Sequence, residues 1–434
     1  MRRPREAALA LATSALTAAA VLVSPGLAAA DNQDTRGEVT QPEINAASPL
    51  KEVPGAGPKK TERQVVVVED ADGEPKVTTL RADSAAQAQA IAAEMDARPG
   101  VSASVNRVFR LPETWSRSKS ASPTSSSGSP GARRIALPGL RAKGTKPYAA
   151  RQWNLAAVRA RVAWRKTRGK GPRVAVIDTG VDASHPDLRG RLLPQINIVR
   201  GRKVKGHWAG DFMGHGTHVA GIIGADLNGI GITGVAHKAK ILPVRVFTKK
   251  GYATSASVAK GIILSVRRGV EVINLSLGSD YASSAVRSAV AYATRHGVTV
   301  VAAAGNEAQT GNSASYPAAF PDVLAVSAFG PSGRWSYWSN HGDYIDFTAP
   351  GERIYSTVPG GRYAAMEGTS MAAPHVSAAA TLVRSANRGL SRRDVEEILT
   401  ATAKDDTSKD GWDEFFGHGL VRAGKAVAAA RASR

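Results

Sequence analysis

Apolar and polar positions change rhythm several times along the chain. Residues 31–60 are polar, carry Pro and Gly, show no period and predict a flexible leader. A Val-rich run at 64–69 predicts a strand, and 76–81 predicts a second one after the Asp72-Gly73 turn. An Ala-rich stretch at 84–97 predicts a helix, and 101–110 predicts a further strand after Pro99-Gly100. Together these make a small α+β unit. Ser then dominates 115–131, with Pro and Gly, which predicts a linker.

From Arg173 onward, short apolar runs alternate with helical patterns. Strands are predicted at 173–177, 241–247, 270–274, 298–303 and 323–327, and helices at 255–268, 283–296, 370–388 and 391–402, with another beginning near His215. Such alternation predicts an α/β fold with a mainly parallel sheet sandwiched by helices, preceded by the small α+β unit. Ligands of such sheets collect at the carboxyl ends of the strands. Asp178 directly follows one predicted strand, and Asn306 follows another after Ala304-Gly305, so both are directed to that edge.

Composition narrows the chemistry. The chain has 434 residues, room for one large domain and a smaller one, and no cysteine, which excludes disulfides, thiol catalysis and Cys-ligated zinc. Arg2, Arg3 and Arg5, an apolar run over 7–23, a Pro25-Gly26 break and Ala28-Ala29-Ala30 read as a secretory signal peptide over 1–30, with export as the expected fate. An N-terminal membrane anchor is the alternative. A formal net charge of +21 favours polyanions, an anionic cell surface among them, yet no nucleic-acid module is visible and a solvated basic face is the better reading of the charge.

Three segments carry candidate chemistry: Asp178-Thr179-Gly180-Val181, His215-Gly216-Thr217-His218-Val219-Ala220-Gly221, and Gly368-Thr369-Ser370-Met371-Ala372-Ala373-Pro374-His375. A hydroxyl is a poor nucleophile unless a base takes its proton, and an imidazole does so well when a buried carboxylate sets its tautomer. Each residue also has a plainer reading: Asp178 as a turn organiser, Ser370 as a helix N-cap, Asn306 as a turn residue. His215 and His218, three apart on a helix, resemble a metal pair, but no acid stands between them and no third ligand cluster is evident. His218 and His375 read as structural.

The string GTSMAAPHVS with the two upstream segments, in the order Asp, His, Ser, resembles the subtilisin-like serine proteases over roughly 152–426. The resemblance implies a secreted, prodomain-bearing endopeptidase acting as a monomer on polypeptides and needing no cofactor for its chemistry. Asp178 would orient the base, His215 would be general base and then acid, Ser370 the nucleophile, and Asn306 with the Ser370 backbone N–H the oxyanion hole. Substrate would lie extended along Ser276-Leu277-Gly278, with Ala303, Gly305 and Ser315 shaping the pocket for the side chain before the cut. Domains follow: 1–30 signal peptide, 31–111 leader and propeptide, 112–147 linker, 148–434 catalytic domain. Asp187 and Asn228 match side chains of the family's structural calcium site, but Lys146 stands where relatives often supply an acid, which weighs against occupancy. Ala378 departs from the family's Gly after GTSMAAPHVS and implies only a slightly altered helix contact.

Two other readings compete. An α/β-hydrolase esterase would use 368–372 as its nucleophile elbow, but its acid and His should follow Ser370, where His418 is the only His beyond His375. A non-catalytic binding protein on a protease fold is disfavoured because every catalytic residue type is present.

Overall fold

The computed structural model describes residues 61–71, 73–111, 151–199, 202–203, 210–403 and 411–433. The signal peptide, the leader to residue 60, the linker over 112–147, Lys146 and the expected catalytic-domain start at 148 lie outside the described residues.

Four consecutive valines, Val65 to Val68, are all buried, although a half-exposed strand would alternate. They sit in β1 (Gln64–Ala71), which pairs antiparallel with β2 (Glu74–Arg81) on one side and β3 (Val101–Val105) on the other. Val65 and Val67 face α1 (Ala85–Asp96), packing with Ala88, Ala92 and Ala103. Val66 and Val68 face the other way, into an apolar cluster shared with α5 (Ser255–Arg267) and α6 (Ser284–Arg295). The sheet of the small unit is therefore a docked layer with both faces covered. Arg295 to Asp70 at 2.6 Å and Arg267 to Glu74 at 2.5 Å close its rim.

The strand expected over 101–110 is two strands. Asn106 interrupts it by donating to the Gln64 side chain at 2.9 Å, while its Oδ1 accepts the Ala256 N–H at the start of α5. The second piece, β4 (Val108–Arg110), leaves its own sheet and pairs antiparallel with β9 (Tyr252–Thr254). A polar side chain that caps another element overrode the strand pattern.

The main sheet runs β13 (Phe347–Pro350), β12 (Leu324–Phe329), β11 (Thr299–Ala303), β10 (Val272–Leu275), β5 (Arg173–Asp178), β8 (Lys240–Arg245) and β6 (Ile196–Val199), all parallel, with two-residue β7 (Arg202–Lys203) antiparallel at the edge. Alternate residues of β5 serve opposite cores. Val174 and Val176 pack toward α4 (His215–Gly224) and α7 (Thr369–Ala386), whereas Ala175 and Ile177 pack toward α5 and α6. This is the α/β sandwich the alternation predicts. Short elements escaped the pattern: α2 (Trp153–Ala157), α3 (Ala160–Trp164), β6, β7, β9, β13 and the hairpin of β14 (Ile354–Val358) with β15 (Arg362–Met366). After α8 (Arg392–Thr402), the Ala-rich α9 (Ala423–Ala432) was missed too; it packs on α7 and α3.

Candidate active site

Strand order reverses beside β5. β8 and β6 lie on one side of it and β10 to β13 on the other, so a crevice opens at the carboxyl ends of β5 and β10. Asp178 is the last residue of β5, and Ser276 follows β10 directly. His215 is the first residue of α4 and Ser370 the second of α7, and these two helices pack together.

His215 Nδ1 lies 2.8 Å from Asp178 Oδ1 and 3.0 Å from Oδ2, both side chains being buried. A carboxylate only accepts, so Nδ1 carries the proton and Nε2 is left as the basic nitrogen. The Thr179 N–H also donates to Asp178 Oδ1, at 2.6 Å. Close approach of the α4 terminus to β5 depends on Gly216: a Cβ there would stand 2.1 Å from the Gly180 carbonyl oxygen and 3.1 Å from Asp178 Cβ.

A second carboxylate shapes this terminus. Asp211 accepts through Oδ1 from Met213 N, Gly214 N and Thr179 Oγ1, and through Oδ2 from Thr217 N and Thr217 Oγ1, at 2.6–3.0 Å. Thr179 Oγ1 in turn accepts the Gly216 N–H at 2.8 Å. Asp211 thereby ties the first turn of α4 to the residue after Asp178. An Asp shortly before a helix start is a capping signal that the sequence reading passed over.

Ser370 is not an N-cap. Gly368 holds that position at φ 142°, and the Ser370 hydroxyl donates to the Ser276 carbonyl at 3.2 Å. Ser370 lies in the first turn of an 18-residue helix, where the backbone dipole favours negative charge. Asn306 is not a plain turn residue either, because its Oδ1 accepts from both Thr369 N and Thr369 Oγ1 at 2.9 Å. Its oxygen is thereby held beside Ser370. Asn340 braces the same loop: its Oδ1 accepts the Glu307 N–H at 2.6 Å, its Nδ2 donates to Ser313 O at 2.9 Å, and its own N–H donates to Gly305 O at 3.0 Å. Glu307 Oε2 meanwhile accepts the Asn306 N–H at 2.7 Å. Asn340 stands 34 positions after Asn306 with no local motif, and sequence reasoning missed it.

Of the residues expected to receive substrate, Ser276 and Gly305 contact the segment carrying Ser370, Gly278 meets Ser315, Ala303 ends β11, and Leu277 packs in the core. Ser276 Oγ donates to the Ser370 carbonyl at 2.8 Å, and Gly305 N donates to Thr369 Oγ1 at 3.1 Å. A Cβ on Gly278 would meet Ser315 Oγ at 2.2 Å, so the walls carrying these two residues touch there. Along this edge the Arg110 N–H donates to the Gly278 carbonyl at 3.3 Å, continuing the β4–β9 pairing into the crevice.

His218 and His375 make hydrogen bonds away from Asp178. His218 donates from Nε2 to the Ala364 carbonyl at 3.1 Å, and burial pushes it down to about 3. His375 donates from Nδ1 to Met371 O and accepts from Asn154 Nδ2, both at 2.8 Å, and burial pushes it to about 4. His215 and His218 therefore do not converge on a common point. Asp187 is buried and accepts from Asn228 Nδ2 at 2.9 Å and Ile232 N at 2.8 Å, while Asn228 Oδ1 accepts the Ile230 N–H. Both side chains are thus held by hydrogen bonds within the protein.

The sequence model of the subtilase family matches residues 169–419. Thermitase of Thermoactinomyces vulgaris is 40% identical over 282 residues, covering 64% of this chain and 97% of thermitase. A thermophilic serine proteinase of Bacillus sp. (strain AK1) is 41% identical over 268 residues, 61% of this chain and 64% of its own length. Subtilisin Savinase of Lederbergia lenta is 40% identical over 272 residues, 62% of this chain and 96% of its own. The match thus spans just under two thirds of the Bacillus relative and nearly all of the other two.

Proposed function

Because the chain belongs to the subtilase family and is a serine-type endopeptidase, we propose that it cleaves polypeptides through an acyl-enzyme built on Ser370, with His215 and Asp178 completing a triad. The observation that carries this reading is the buried contact of His215 Nδ1 with Asp178 at the end of β5, made from a helix that packs against the one bearing Ser370. Ser370 Oγ turns from the Ser276 carbonyl to attack the substrate carbonyl carbon, and its proton passes to His215 Nε2. Asp178 stabilises the imidazolium without taking its proton. The oxygen of the tetrahedral intermediate accepts from Asn306 Nδ2 and the Ser370 N–H, which gain strength as charge develops. His215 then protonates the departing amine, and a water attacks the acyl-enzyme in the reverse sequence.

The same reading makes 61–111 a propeptide lying in the groove. Support comes from β4 paired with β9, from Arg110 bonded to Gly278, and from Phe109, which is fully buried. A segment added as a strand along the substrate edge keeps the enzyme silent. Export is proposed from the signal-peptide pattern, with release of the propeptide outside the cell. Labelling with a fluorophosphonate, followed by mass mapping, tests the core of the proposal: label on Ser370, and none on Ser370→Ala, is the expected result. Label elsewhere, or turnover by Ser370→Ala, would overturn it.

A further inference from the structure

The amino ends of the same strands form an opposite pole with a chemistry of its own. Arg173 opens β5 and pairs in register with Lys240, which opens β8. The loop before β5 brings Arg168, whose carbonyl accepts the Lys238 N–H at 2.9 Å, and Lys170, whose carbonyl accepts from Ser385 Oγ at 2.8 Å. Arg191 lies beside them, its carbonyl accepting the Ile241 N–H at 2.9 Å, and Lys240 Nζ reaches the Gly190 carbonyl at 2.8 Å. On the other flank, Arg173 Nη1 donates to the Arg268 carbonyl at 3.0 Å. Arg168, Lys170, Arg173, Lys240 and Arg268 are all exposed. Two acids stand among them. Asp226 holds Lys238 at 2.9 Å, and Glu271 holds Arg388 and accepts the Arg173 N–H.

We propose that this pole is a docking surface for a linear polymer bearing phosphates along its backbone, held so that the catalytic crevice faces away from it. Charge complementarity selects an anionic partner, and the guanidinium fork suits phosphate oxygens in pairs. A polymer is favoured over a lipid bilayer because the exposed residues Arg168, Lys170, Arg173, Lys240 and Arg268 are all charged, exposed Leu227 adjoining them beside Asp226. Strand β5 separates Arg173 from Asp178 by five residue steps, about 16 Å, so the polymer can bind without entering the crevice. The inference does not depend on the catalytic reading, because it is tested by binding.

The test uses the full chain with Ser370→Ala, long-chain inorganic polyphosphate as probe, and salt titration. Neutralising four residues together (Arg168→Gln, Lys170→Gln, Arg173→Gln, Lys240→Gln) should lower the slope of log affinity against log salt by about 3, as expected for four lost phosphate contacts. A control set spread elsewhere (Arg81→Gln, Arg98→Gln, Arg287→Gln, Arg334→Gln) should lower it by less than about 1. In a Ser370 background the pole variant should keep wild-type turnover of a short peptide, which shows that it folds. Equal losses in both sets, or no polyphosphate binding by the parent chain, would overturn the proposal. So would binding to phosphatidylglycerol vesicles without binding to polyphosphate, which would make the partner a membrane.

Discussion

Gly216 and Gly180 touch so closely that no side chain fits between them: a Cβ on Gly216 would stand 2.1 Å from the Gly180 carbonyl oxygen. That contact seats the first turn of α4 on the end of β5 and so sets the distance from His215 to Asp178. Gly216→Ala must push the two apart, because the obstructing atom is backbone. It should lower kcat/KM by about 10²-fold or more, the cost of an ångström-scale misplacement, with heat denaturation checking that the fold persists.

The two histidines of the GHGTH segment should respond differently to replacement. His215→Ala and Ser370→Ala should each lower peptide turnover by about 10⁴-fold, and the double variant should be hardly worse than either. His218→Ala removes a buried donor to the Ala364 carbonyl and should act on stability, by about 1–3 kcal/mol. Turnover per folded molecule, with active sites titrated, separates the two effects.

Asn306→Leu should reduce kcat by about 10²–10³-fold with little change in KM, since the amide acts on charge that develops only during reaction. Asn340→Ala should lower kcat in the same direction by a smaller factor, because it loosens the loop that carries Asn306 without touching substrate. Steady-state kinetics on one peptide series measures both.

Phe109 is fully buried where β4 meets β9. Phe109→Ala in the full chain should weaken the seating of the N-terminal unit, the loss of a core aromatic being worth about 3–5 kcal/mol. Active enzyme should therefore appear earlier after synthesis than in the parent chain, as followed by peptide hydrolysis and by the N-terminus of the product. An unchanged lag would show that Phe109 does not hold the unit on the crevice.

Acid should unfold the protein through His218 and His375. Burial holds them neutral down to about 3 and about 4, whereas in the unfolded chain they protonate near their ordinary 6.5. Between those values the unfolded state binds more protons, so their contribution is fully present above about 6.5 and is lost as pH falls toward 3. Near pH 5 each contributes a slope on the order of 1 kcal/mol per pH unit. Urea unfolding of the Ser370→Ala chain at several pH values measures their sum, and His375→Gln should remove about half of it.

Much of this architecture was legible because it rests on local rules. Alternating strand and helix patterns implied the parallel sheet, and Asp178 was directed to the crevice simply by ending an apolar run. The helix ends were close as well, since Ser84, Ser283 and Ser391 each accept from the backbone of the helix they precede. Short elements such as β9 and β13 were not legible, because three or four residues carry no period. Nor was the break at Asn106, where the side chain serves a helix 150 positions away.

By itself, then, the sequence determined the fold class, the family and the three segments that carry Asp178, His215 and Ser370, because these depend on residue type and short-range spacing. Only the tertiary structure decided how they are held. Asp211 and Asn340 act through hydrogen bonds, and Gly216 through contact, so their importance exists only once distant segments meet. The same is true of the basic pole, since the loop before β5, the start of β8 and the end of α5 share a surface only because their strands lie side by side.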